Sequence, residues 1–204
     1  MAASMGTAIH NSVEDLCNLD ISDREDDEFR WLHSSCVEIL QKRWEEERTL
    51  FLETPRHPRW KDESFSVALD GLMGAISILF EKAMLPFEEL SSVTVKTWKQ
   101  VQDIVVATEA NLESKCGRML GRLDLLIKDL ENEANDGLIV ADLKTGKPPE
   151  NELSDKVSRQ LLFYRDLMKE NATGDQELRA EGWYSSNNTV YRAEGPPILE
   201  EAIG

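Results

Sequence analysis

Seven consecutive residues, Leu138-Ile139-Val140-Ala141-Asp142-Leu143-Lys144, constrain this chain more than any other stretch. The run is short, rich in branched apolar side chains, preceded by Asn135-Asp136-Gly137 and closed by Gly146 and Pro148, which together specify a strand between two turns. At a rise of ~3.3 Å per residue, alternation puts Asp142 and Lys144 on one face roughly 6.6 Å apart, with Ala141 and Leu143 on the other. Gly121 to Ile127 reads the same way, with Leu123, Leu125 and Ile127 on one face and Arg122, Asp124 and Leu126 on the opposite one. The two strands pair as a hairpin. A carboxylate inside such an apolar run is costly unless it is paired, so Asp124 and Asp142 require a shared cation or a positive partner. Arg122 and Lys144 could supply the positive partners. A hard divalent cation held by the carboxylates, a main-chain carbonyl and water is the other solution.

Further patches bear on that choice. In chain order they are Gly6-Thr7-Ala8-Ile9-His10, Gly121-Arg122-Leu123-Asp124, Ile139-Val140-Ala141-Asp142-Leu143-Lys144-Thr145-Gly146-Lys147 and Arg159-Gln160-Leu161-Leu162-Phe163-Tyr164. Together they resemble the signature of the PD-(D/E)XK nuclease superfamily, and most resemble its RecB-like branch, which includes CRISPR-associated nucleases of spacer acquisition. The resemblance implies one α/β domain over residues 1–204, a restriction-endonuclease-like core with a central mixed sheet flanked by helices. A mainly helical region at residues 20–100 is added to a catalytic core at residues 105–195. It also implies roles. Asp124 and Asp142 bind Mg²⁺ or Mn²⁺, the Leu143 carbonyl completes the shell, and His10 is a further ligand. Lys144 orients water and stabilises charge on the scissile phosphate. Gln160 and Tyr164, four apart and so on one helix face, support the lysine and approach the nucleic-acid backbone, with Arg159 and Arg122 as further nucleic-acid-binding or supporting residues.

Each residue has a plainer reading. His10 lies beside the apolar stripe Ile9, Val13 and Leu16, where a histidine is often only packed and hydrogen-bonded. Gln160 and Tyr164 could cap the edge of a helix that buries Leu161, Leu162 and Leu167. Glu14, one turn after His10, and Glu109, on the strand before the hairpin, are additional carboxylates within reach, and neither is assigned a role. Two other motifs fail. Thr145-Gly146-Lys147 resembles a phosphate-binding loop, but Ala141 stands where its first glycine belongs and Pro148 where Ser or Thr must reach magnesium. Some RecB-like relatives hold an iron-sulfur cluster with four cysteines. Here Cys17, Cys36 and Cys116 are the only cysteines and none follows Tyr164, so no cluster is expected and the three read as small, mostly buried apolar residues.

A chain of 204 residues, 41% hydrophobic, supports one substantial core. No signal peptide is visible, and the best apolar stretch, Val67 to Phe80, is interrupted by Asp70 and reads as too short to span a bilayer. An intracellular, cytoplasmic protein without membrane contact is the expectation. The formal charge of −16 opposes broad non-specific binding of nucleic acid, because Lys and Arg contacts to phosphate supply most of that affinity. Much of the acidity falls in Asp23 to Glu28 and Glu45-Glu46-Glu47, whereas Arg118, Arg122, Lys144, Lys147 and Arg159 surround the hairpin. A restricted cationic groove can still guide one strand. Pro55 to Trp60 combines basic residues with an aromatic and reads as an exposed loop. RecB-like domains usually carry more sequence before the histidine helix, so a fragment, a shortened relative and one part of a larger assembly are all open, and if the missing portion helps bind DNA a partner such as a helicase is expected. The expected activity is therefore metal-dependent hydrolysis of DNA, single-stranded or end-containing, by an exonuclease of repair, recombination or defence. The alternative is a non-catalytic module of the same fold within a larger complex.

Overall fold

The sheet is built around the two apolar runs. Strands β2 (Leu120–Lys128) and β3 (Leu138–Lys144) are antiparallel neighbours, paired from Lys128 with Leu138 to Leu125 with Ala141. Strand β1 (Val105–Glu113) continues the meander on the far side of β2. Through helix α5 (Asp155–Asn171) the chain crosses to β4 (Leu178–Tyr184), parallel to β3, and turns back into β5 (Thr189–Arg192). The computed structural model describes residues 1–54, 59–132, 137–172 and 176–199. Among them the sheet is five-stranded and mixed, in the order β1-β2-β3-β4-β5. Strand β3 is central and covered on both faces, which accounts for its nearly unbroken apolar sequence. The Pro55–Pro58 part of the basic loop and the Asn135-Asp136 turn lie outside the described residues.

Helices α1 (Ala2–Cys17), α2 (Trp31–Glu53), α3 (Phe65–Lys82) and α4 (Val95–Ile104) share one core with Leu125, Ile127, Ile139, Ala141, Leu143 and Trp183 of the sheet. Helix α5 covers the opposite face through Leu161, Leu162 and Leu167, against Leu123, Val140 and Ala180. The expected α/β class and central mixed sheet are therefore present.

Several local readings are corrected. The second helix does not run from residue 26. Arg30 has a left-handed backbone (φ 65°) and donates its N–H to Ser91 O, and the chain before it is tied to α4 by Lys96 N to Asp26 O and by Lys99 to Asp26. Residues 93–101, ambiguous as sequence, become α4 because Thr94 caps the first turn through Thr97 N–H and Trp98 and Val101 are fully buried. The apolar stretch of α3 is longer than it reads. With a single turn before it, it spans Asp62–Lys82, 21 residues, long and apolar enough by length and composition to cross a membrane. Its side chains are spent on the core instead, with Leu72, Ile76 and Ile78 wholly buried. Of the cysteines, Cys17 and Cys36 are buried, and burial pushes both thiols up to about 12, but Cys116 is exposed in the β1–β2 turn.

Two close contacts set α3 against β4. A Cβ at Gly74 would stand 1.8 Å from Ser185 O, so only glycine permits this approach. At the helix end, Lys82 pairs at 2.8 Å with Glu181, whose other contacts include Trp183 Nε1–H at 2.9 Å. Both charged side chains are buried, and Glu181, which Arg179 and Arg192 also approach at 3.8 and 3.6 Å, compensates the Lys82 charge.

Candidate metal centre

Strand β2 changes phase at Asp124. Leu125 and Ile127 pack on the α1–α4 side, but Leu123 joins Leu126 in the cluster under α5. The expectation that Leu123, Leu125 and Ile127 share one face is thus overturned. The physical reason lies opposite, on β1. Between the pairs Thr108 with Leu125 and Ala110 with Leu123, Glu109 adopts a left-handed backbone (φ 49°), which interrupts the regular pleat. Asp124 directs its carboxylate towards α1. Beyond the last β2–β3 pair, its Oδ2 accepts the Leu143 N–H at 2.7 Å.

Helix α1 supplies His10. One turn earlier, a Cβ at Gly6 would lie 2.9 Å from Thr145 Oγ1, so the glycine lets the helix settle against the end of β3. His10 Nδ1 is 3.5 Å from Asp124 Oδ2. His10, Glu109 and Asp124 each offer one ligand atom, and the three lie within 4.8 Å of one another. With Glu14, Leu125 and Leu143 they line a cavity of about 10 Å³, roughly one water-sized sphere. A single-ion space with one imidazole and two carboxylates fits a divalent cation, and the nitrogen ligand suits Mn²⁺ better than Mg²⁺. A wider cleft of about 370 Å³, bordered by Asn11, Arg122 and Thr145, opens on the same residues.

Asp142 and Lys144 project to the α5 side of β3. Lys144 Nζ lies 2.5 Å from Asp142 Oδ2 and donates to Gln160 Oε1 at 3.2 Å. The Gln160 amide donates to Asp142 Oδ1 at 3.3 Å and to the Tyr164 hydroxyl at 3.1 Å. The Gln160–Tyr164 pair thus holds the lysine and the aspartate in one bracket. Asp142 stands apart from the compact group of His10, Glu109 and Asp124, although its charge acts on His10. Arg159 is exposed on α5 beside Gln160. Arg122, 62% exposed, pairs through Nε with Glu109 Oε2 at 2.5 Å.

The local field is strongly negative. Burial opposes protonation of His10, but its hydrogen bond to Asp124 and the charges of Asp124, Asp142 and Glu109 outweigh it, so the imidazole titrates above its ordinary 6.5. Burial, then Asp124, raises Asp142 against the opposing effect of Lys144. Burial, then Asp124, likewise raises Glu109 against Arg122 and His10. Burial is the larger cause at the two carboxylates, and the charge of Asp124 adds to it at all three groups; that shared charge is what a divalent cation would neutralise. Both carboxylates that the sequence left without a role, Glu14 and Glu109, border the cavity, and Glu109 also joins the ligand group. The only signal for Glu109 was an acidic side chain on the strand preceding the hairpin.

The sequence matches a family model described as the PD-(D/E)XK nuclease superfamily over residues 1–202. No curated protein matches the chain.

Proposed function

The chain belongs to the PD-(D/E)XK nuclease superfamily, and from that premise we propose that it is a Mg²⁺- or Mn²⁺-dependent deoxyribonuclease of the RecB-like branch. Its mixed sheet flanked by helices is a restriction-endonuclease-like fold, its substrates are nucleic acids and its chemistry is phosphodiester hydrolysis with divalent metal. The finer reading is an intracellular exonuclease acting on single-stranded or end-containing DNA in repair, recombination or defence. The observation that carries it is the lysine held between Asp142 and Gln160, one strand away from the His10–Asp124 pair.

In this reading His10 and Asp124, with the Leu143 carbonyl, would hold the ion, and Asp142, now engaged by Lys144 and Gln160, would turn from that bracket to complete the shell. When bound, the ion polarises a phosphoryl oxygen and acidifies a water molecule. Lys144 directs its ammonium at the attacking water and at the phosphate, where it offsets the negative charge that grows as the new P–O bond forms. Gln160 fixes the direction of Lys144, and Tyr164 fixes Gln160. Arg159 and Arg122 flank the path of the nucleic-acid backbone.

The test incubates the purified protein with end-labelled single- and double-stranded DNA and Mn²⁺, and titrates Mn²⁺ calorimetrically. Asp124→Ala is expected to lose both cleavage and metal binding, and unchanged Mn²⁺ affinity in that variant refutes the site. The charge of −16 favours a second reading, a non-catalytic module contributing contacts within a larger complex, for example beside a helicase. Metal binding by the native chain without cleavage of either DNA would select it.

A further inference from the structure

We infer that Glu109 is a direct ligand of the catalytic cation and that Arg122 is its exchangeable counter-ion, released towards the nucleic-acid phosphate when the cation takes the carboxylate. The inference rests on the metal-centre reading above, adds Glu109 to its ligands and gives Arg122 a second task.

Three observations converge on Glu109. Its side chain is 11% exposed, and its carboxylate belongs to the same 4.8 Å group as His10 and Asp124, from which Asp142 stands apart. It also lines the single-ion cavity. Its backbone is left-handed in the middle of a strand, a conformation that is unfavourable for a side chain with a Cβ and that persists only when its surroundings impose it. On a regular strand the alternation would carry this side chain differently. The departure falls at the residue facing Asp124.

Arg122 has the properties of a stand-in. It is two residues from Asp124 on β2, its guanidinium pairs with Glu109 Oε2, and its side chain is 62% exposed on the cleft that opens from the cavity. A divalent cation at His10 and Asp124 competes for the same carboxylate with twice the charge. Arg122 then has an uncompensated guanidinium at the rim of the cleft, and a phosphodiester oxygen is a strong acceptor for it. Metal binding would in this way prepare the site for its substrate.

The experiment measures Mn²⁺ and Cd²⁺ affinity calorimetrically, without DNA, for the native chain and for Glu109→Gln, Glu109→Cys and Arg122→Gln. Glu109→Gln, nearly the same shape, is expected to weaken Mn²⁺ by at least the roughly ten-fold that loss of an outer-shell partner already costs. A charge effect alone would also weaken it, so the cysteine variant decides. A thiolate inside the coordination shell prefers the softer Cd²⁺. Glu109→Cys should therefore shift selectivity from Mn²⁺ to Cd²⁺ and add an ultraviolet thiolate-to-cadmium absorption beyond that of the native cysteines. Arg122→Gln should tighten Mn²⁺ binding by freeing Glu109. Unchanged metal selectivity in Glu109→Cys, or weaker Mn²⁺ binding in Arg122→Gln, overturns the inference. If the native chain binds no Mn²⁺ at all, the metal-centre reading itself fails, which is a separate and recognisable outcome.

Discussion

Lys144 illustrates how much one side chain depends on its setting. A lysine alone in water is a mobile point charge, but here its ammonium is pinned by Asp142 on one side and the Gln160 carbonyl oxygen on the other. Lys144→Ala should therefore lower the cleavage rate by a factor of ~10² or more, the scale of removing one preorganised charge stabiliser, while Mn²⁺ affinity is preserved. Single-turnover cleavage combined with calorimetry checks both halves. His10 gives the site its pH response. Metal binding requires the neutral imidazole and ionised carboxylates, and in the ion-free site His10, Asp142 and Glu109 all keep protons to higher pH than usual. Raising pH from about 6 to about 8, across the ordinary histidine range, should tighten Mn²⁺ binding. Protons should be released on binding, readable as a buffer-dependent enthalpy. In His10→Ala the pH dependence should become shallower.

Among the elements, α3 is the most tightly specified. Its approach to the turn after β4 leaves no room for a Cβ at Gly74, where the obstacle is the Ser185 backbone rather than a movable side chain. Gly74→Ala should destabilise the protein by about 1–3 kcal/mol or more, as overpacking does, despite the higher helix propensity of alanine. Gly146→Ala is the control, because nothing lies within 4 Å of a Cβ there. Urea unfolding of the two variants gives the comparison. The helix α5 acts at the same scale. Its Leu161, Leu162 and Leu167 bury one side, and that packing, reinforced by the Ser154 cap on Val157 N–H, holds Gln160 and Tyr164 over β3. Gly121 allows this packing too, since a Cβ there would meet Leu167 and Tyr164 at 2.9 and 3.0 Å.

For the whole molecule the decisive quantity is charge. A body of net charge −16 repels a polyanion, so binding must come from the few cations around the site. Even if Arg118, Arg122, Lys144, Lys147 and Arg159 all met phosphates, log Kd for single-stranded DNA would vary with log salt by a slope of about 3.5 at most. A salt titration by fluorescence anisotropy with Ca²⁺ in place of the catalytic metal is expected to give a slope at or below that value. A markedly steeper dependence would mean a more extended cationic surface than these residues provide.

The sequence alone was enough for the hairpin that carries Asp124, Asp142 and Lys144, because a charged residue inside a bounded apolar run leaves few physical options. It was also enough for the Gln160–Tyr164 helix face, where a spacing of four makes neighbours of two polar side chains. Both are local consequences of helix and strand period. What needed the tertiary structure was non-local. Leu123 leaves the face it would share with Leu125 by simple alternation at the point where Glu109, fourteen residues earlier, takes a left-handed backbone opposite Asp124. Lys82 is buried only because Glu181, far along the chain, waits on β4. Period fixes which residues can share a face. The energy of a strained backbone or a buried charge depends on partners that only the folded chain brings together.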